Sequence, residues 1–193
     1  VGVSGCLELT GGEIDFQSFK ITEFGVAMAI GIDEAYIAAK AGVEFSGYEM
    51  AAGIFFGRTC TPEPISFCDP DVAALLTPGT TFSGVCIYGE VWLPISQIVL
   101  GIPPSCLFRV SAGVGAGTFV FLEGPTFGGS MLLGVSGEAI CLVSIEGSIK
   151  MTGVLQDGKL KASGSGKFEA CVGVAFIEIC FNATVKMTYD DGN

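Results

Sequence analysis

The sequence predicts an all-β fold, mainly antiparallel, of long bent strands forming a barrel or sandwich with one short helix near residues 70–76. Three observations carry this. Apolar and polar residues alternate with a period of two over most of the chain, glycines are spaced through the alternating stretches, and one Pro- and Cys-rich stretch interrupts the pattern. Strand side chains point to opposite faces in turn, so a period of two marks strands as a period of 3.6 marks helices. At 193 residues the chain suits a single all-β domain spanning 1–193, with an insertion at 59–80 and a sub-boundary near 94–106.

The elements follow in order. From Glu13 to Gly31 the even positions include Ile14, Phe16, Phe24, Val26, Met28 and Ile30, which predicts one long strand or two strands meeting around Lys20–Glu23. Ile32–Ala35 is the expected turn. The stretch 35–58 reads as strand, and Gly42, Gly47, Gly53 and Gly57 within it suggest bends, bulges or close packing against a bulky neighbour. In the interruption, Asp69 is the expected N-cap of the short helix, Pro70 its first residue, and Pro78 lies beyond its end. Strands resume over 81–93 and, after Pro94, Pro103 and Pro104, over 107–122. From Met131 the alternation is clearest. Asp157-Gly158 between Leu155 and Leu160 is the strongest hairpin signal. After that turn polar residues are odd-numbered from Lys159 to Glu169 and even-numbered from Glu178, which requires a bulge, bend or turn between Glu169 and Glu178. The expectation for such strands is an apolar face on the core and a mixed face outward.

Composition narrows the function classes. Half of the residues are hydrophobic and 15% are charged, against about 25% charged in ordinary domains. With a mean hydropathy of +0.63, either both faces of many strands are covered or apolar surface is left for a partner, lipid or ligand. The net charge of −11, with 20 acids and 9 bases and no basic stripe, argues against nucleic acid and against anionic membrane surfaces. No apolar run predicts a transmembrane helix. The chain opens Val1-Gly2-Val3 with no signal-peptide pattern, as a processed product or a piece of something longer would.

Eight cysteines (Cys6, Cys60, Cys68, Cys86, Cys106, Cys141, Cys171 and Cys180), with no Cys-x-x-Cys and no histidine, read as disulfides in an oxidising compartment rather than as a metal site. Cys60 with Cys68 is the expected first pair, across a short loop, and Cys86 with Cys106 the next. Lack of histidine removes the commonest general base. Gly134-Val135-Ser136-Gly137-Glu138 fails as a nucleophile elbow, and 113–117 is strand glycine rather than a phosphate loop. The acid pairs Glu44/Glu49 and Asp33/Glu34, and the calcium-type groups Asp69/Asp71 and Asp190/Asp191, read as surface, caps and tail. No enzyme activity and no cofactor are expected. Asn182-Ala183-Thr184 is a glycosylation sequon, and Trp92 is a candidate interface anchor or core plug.

The function these features predict is a non-enzymatic structural or self-assembly module, filament-forming or otherwise, secreted or at the cell surface. Its partners would be copies of itself or another β-rich protein. The alternative is a β-barrel carrier of a lipid or other apolar ligand. A membrane β-barrel fits some segments, with eight cysteines and absent aromatic girdles against it.

Overall fold

The computed structural model describes residues 5–16, 19–77, 79–99, 107–122, 126–139, 143–174 and 177–191. Its strands are β1 (Gly5–Gly11), β2 (Ile14–Asp15), β3 (Lys20–Ile30), β4 (Ala35–Phe45), β5 (Tyr48–Thr59), β6 (Phe82–Val99), β7 (Leu107–Phe121), β8 (Thr126–Ala139), β9 (Val143–Gln156), β10 (Lys159–Val174) and β11 (Ile177–Asp190). All belong to one antiparallel sheet in the order β1-β3-β4-β5-β6-β7-β8-β9-β10-β11, with β2 pairing β3. From β3 onward each strand pairs with the next in sequence, and β1 and β11 form the two edges.

Local chemistry explains the turns. Asp157 and Gly158 both take positive φ (52° and 74°), so Gln156 pairs directly with Lys159 in the expected hairpin. Ser46 and Gly47 do the same (50° and 83°), which splits the stretch 35–58 into β4 and β5. The parity change after Glu169 is a hairpin that pairs Val174 with Ile177. Pro94 does not end its strand. Instead β6 runs through it to Val99 with a register shift between Pro94 and Ser96, which accommodates a residue that lacks an N–H. A register shift beside Thr22 likewise lets β3 begin at Lys20.

The 59–80 interruption folds as a plug on one face of the sheet. It holds a 3-10 turn (Glu63–Phe67) and the predicted helix, α1 (Pro70–Leu75), capped by Asp69, whose side chain accepts from the backbone N–H of Asp71. Pro78 lies outside the described residues. The turn touches β3, β4 and β5, while α1 touches β9 and β10. β3 and β10 are seven strand spacings apart, about 34 Å on a flat sheet. The sheet must therefore curl around the plug, and the plug face is concave.

Glycines floor that concave face. A Cβ on Gly53 would lie 2.3 Å from the carbonyl oxygen of Phe67 and 2.5 Å from that of Cys68, so the plug backbone rests on bare strand. Aromatic side chains lie over others: Tyr88 over Gly115 and Gly117, and Trp92 over both Gly113 and Gly134. Beneath the plug, Phe55, Phe82, Phe119 and Phe121 are fully buried with Ile65, Val72 and Leu76. Phe121 centres the ring cluster, 5.5–6.0 Å from Phe82, Phe119 and Phe55.

The face assignment reverses the expectation for the C-terminal strands. By register, the apolar rows of β9–β11 (Ile149, Met151, Ile179, Phe181, Val185 and Met187) face away from the plug and are exposed, while the polar rows share the concave side with the plug, buried near it at Thr152 and Gln156 and exposed along β11. Because the plug covers the aromatic cluster of β5–β7, the curl brings the polar rows of β9–β11 inward on the same side.

Gly53→Ala should lower stability by about 1–3 kcal/mol, because backbone rather than a side-chain tip must move. Gly164→Ala, where an added methyl meets nothing, should stay within about 0.5 kcal/mol of the parent. Urea-unfolding midpoints of the two variants check the contrast.

Candidate functional site

Two features have the organisation expected of a working site: the polar network that ties the plug to the concave face, and the apolar convex face. The network centres on Asp69, which is 1% exposed. Its Oδ1 takes the N-cap bond from Asp71 (3.0 Å), and its Oδ2 accepts from the Ser130 hydroxyl of β8 (2.5 Å). Lys150 of β9 places Nζ 2.9 Å from Asp69 Oδ1 and 2.9 Å from Asp71 Oδ2. The same ammonium lies 4.4 Å from the centroid of the Tyr88 ring of β6, whose hydroxyl donates to Glu90 at 2.6 Å. Tyr88 and Lys150 stand three strand spacings apart, about 14 Å on a flat sheet. They meet because the sheet curls and the residues between them, Gly117 and Ser130, are small.

Further bonds hold the plug at its margins. Gln156 Oε1 accepts from the backbone N–H and the hydroxyl of Thr77, and Lys161 donates to Thr77 Oγ1 at 2.8 Å. At the other margin, Glu34 Oε1 accepts from the Thr59 hydroxyl and the Cys60 N–H. These assignments use Asp69, Asp71 and Glu34 as anchors. Asp69 already accepts two hydrogen bonds and pairs with a cation, so neither a calcium site nor an acid–base pair is assembled there.

The cysteines pair differently from expectation. Cys68 bonds to Cys86 of β6, not to Cys60, and Cys171 bonds to Cys180 across the last hairpin. Cys68 closes the 3-10 turn and lies against β6. Cys60, the first residue beyond β5, is a free thiol whose Sγ lies 3.7 Å from the carbonyl oxygen of Asp33. Nearness in sequence was thus a poor guide to nearness across the sheet. The proposed Cys86–Cys106 pair also gives way, since Cys86 is taken. Cys106 and Cys141 lie outside the described residues, and Cys6 is placed only by its backbone pairing with Ala29. Among the described residues, Glu169, Cys171 and Cys180 form a group with metal-ligand spacing, but both sulfurs are committed to the disulfide and no thiolate is left to bind.

Away from the plug, the concave face is acidic. Glu49, Glu138, Glu146 and Glu169 line a cavity of about 190 Å³ with Ser111, Ser136 and Ser144. Glu44 faces Glu49, and Glu146 faces Glu169, directly across strand pairs. Asn182 is exposed opposite Glu169, on this concave side with Thr184 and Lys186. Trp92 lies on the glycine floor of the same side, partly buried, in the plug-like role.

The convex face carries no such chemistry. Every charged side chain described in the strands projects from the concave side except Arg58, at the plug-end rim of β5. The outward rows are Leu, Ile, Val, Met, Phe, Ala and Gly with few exceptions. One of these is Thr118, and its hydroxyl donates to the Gly128 carbonyl. No helix among the described residues is long and apolar enough to cross a membrane. Comparison with protein families, with curated proteins and with solved structures finds no match to this chain.

Asp69→Ala should cost about 3–5 kcal/mol, since it removes the helix cap, strips Ser130 of its acceptor and leaves the largely enclosed Lys150 with only one of its two carboxylate partners. Lys150→Met should cost a similar amount. Because both act on one network, the double variant should lose less than the sum of the two, measured as a double-mutant cycle in denaturant.

Proposed function

We propose that this chain is a non-enzymatic structural module that works in an oxidising compartment, secreted or at a cell surface, with its convex apolar face covered. The observation that carries the reading is the sorting of the two faces: charge on the concave side, a near-continuous apolar surface on the convex side. Exposed apolar patches on soluble monomers rarely exceed a few hundred Å². Here the outward rows of every strand from β3 to β11 contribute, and residues such as Ile30, Phe56, Ile179 and Met187 are 65–74% exposed. The two disulfides among the described residues support the compartment. Both lie on the concave side, one joining plug to sheet and the other joining the last two strands.

The alternative, a carrier of an apolar ligand, places that ligand in the concavity. There the space is filled by the plug at one end and lined by glutamate and serine at the other, which supports the structural reading over the carrier. The cover itself is apolar, whether copies of the chain, another β-rich protein or lipid supplies it.

Light scattering in aqueous buffer, oxidising and free of detergent or lipid, tests the proposal. The parent chain should associate, and Phe181→Lys with Met187→Lys on the convex side should reduce that association. Thr184→Lys on the concave side should not. A parent chain that stays a strict monomer at high concentration overturns the reading.

A further inference from the structure

We infer that the cover is lipid hydrocarbon: the convex face is the lipid-facing wall of a bilayer-spanning β-barrel, and the plug occupies its lumen. This rests on the covered-face reading above and names the cover.

The height of the apolar surface is the first argument. In β11 the outward row runs uninterrupted from Ile179 to Tyr189. Ten residues of strand span about 33 Å, and a tilt of roughly 40° brings this to about 25 Å, the height of the apolar band of membrane barrels. In β5 the row from Tyr48 to Phe56 is shorter, eight residues of strand or about 26 Å, and Arg58 follows it, paired across to Ser83 at the same rim. Charge thus enters the outward face only where the band ends. Aromatic side chains also stand outward near both rims: Phe45 and Tyr48 flank the Ser46-Gly47 turn, while Phe56, Phe127 and Tyr189 lie towards the plug end.

Shape is the second argument. The apolar side is the convex side of a curled sheet, and two convex surfaces touch along a line. Sheets that cover one another pack at about 10 Å over broad, matching faces. A second copy would leave most outward rows in water, whereas a fluid hydrocarbon phase covers them all. A groove of about 540 Å³ on this face, over Gly147 and Gly166 between Leu133, Ile149, Phe168 and Val185, is almost wholly apolar, as a seat for an acyl chain requires.

Backbone chemistry is the third. Hairpin-connected antiparallel strands satisfy every internal ladder, and the outward Thr118 hydroxyl is already bonded. Among the described residues the unpaired edges are β1, with the two-residue β2 on the same side of β3, and β11, and hydrocarbon does not tolerate an open edge. In the bilayer these edges pair with each other and close the wall. The cysteines count against a barrel as sequence features, but the two disulfides among the described residues both sit on the lumen side.

Tryptophan placed at single positions tests this, with the full oxidised chain refolded into phosphatidylcholine vesicles whose acyl chains carry bromine. Ile149→Trp and Met187→Trp, at two outward sites that are 61% and 71% exposed, should lose most of their emission to bromine. Ser165→Trp and Thr184→Trp should keep it, as should native Trp92, which lies over Gly113 and Gly134 and serves as the internal reference. Unquenched outward tryptophans, with a discrete oligomer in lipid-free buffer and blue-shifted emission, overturn the lipid wall but leave the covered-face module standing. A folded monomer in plain buffer with water-exposed outward tryptophans overturns both.

Discussion

The contact on which the rest of the structure depends is the seating of the 59–80 plug on a glycine-floored sheet. The backbone of Phe67 and Cys68 rests where Gly53 has no side chain, and the Cys68–Cys86 bond ties it to the next strand. From that seat the plug reaches β3 on one side and β10 on the other. Both reaches can be satisfied only if the sheet curls. Curling fixes which face is concave, and the concave face must then accept whatever side chains have the matching parity on every strand. The apolar surface of the opposite face is the geometric consequence.

The buried polar network belongs to the same logic. An aspartate that is 1% exposed needs partners, and Asp69 finds them on its own helix, on β8 and on β9. A network of this kind adds little net stability compared with an apolar replacement, but breaking one member is costly. Its effect is to specify register: Lys150 reaches both carboxylates and the Tyr88 ring only if β6, β8 and β9 stand at one curvature. At the far end acids face one another directly across strand pairs, as Glu146 and Glu169 do, and such facing pairs repel.

Much of this was legible in the residues. The period of two, the Asp157-Gly158 turn and the Asp69-Pro70 start of α1 each have a local cause and were readable as such. The Ser46-Gly47 turn was not, because serine at positive φ leaves little trace in sequence. Pro94 looked like a strand end because a bulge that absorbs it is a property of the paired strand β7. The pairing of Cys68 depended on where the plug lands. Above all, alternation distinguishes two faces without saying which one is covered. The apolar rows of β9–β11 looked like core, whereas the core is a small aromatic cluster under the plug and those rows face outward. Of the candidate site, the excess of apolar residues was legible, and its confinement to the convex side was not.

The chain carries its own probes of this central claim. All five methionines, Met28, Met50, Met131, Met151 and Met187, stand on the convex side by register, and four of them are 46–71% exposed in the isolated chain. Thioether oxidation by peroxide follows exposure. Peptide mass spectrometry after mild peroxide treatment of the protein in its assembled state, compared with the same treatment in urea, measures the cover directly. Strong protection of Met50, Met131, Met151 and Met187, lost in urea, is the predicted result. Methionines that oxidise as fast in the folded, assembled protein as in urea would contradict the account.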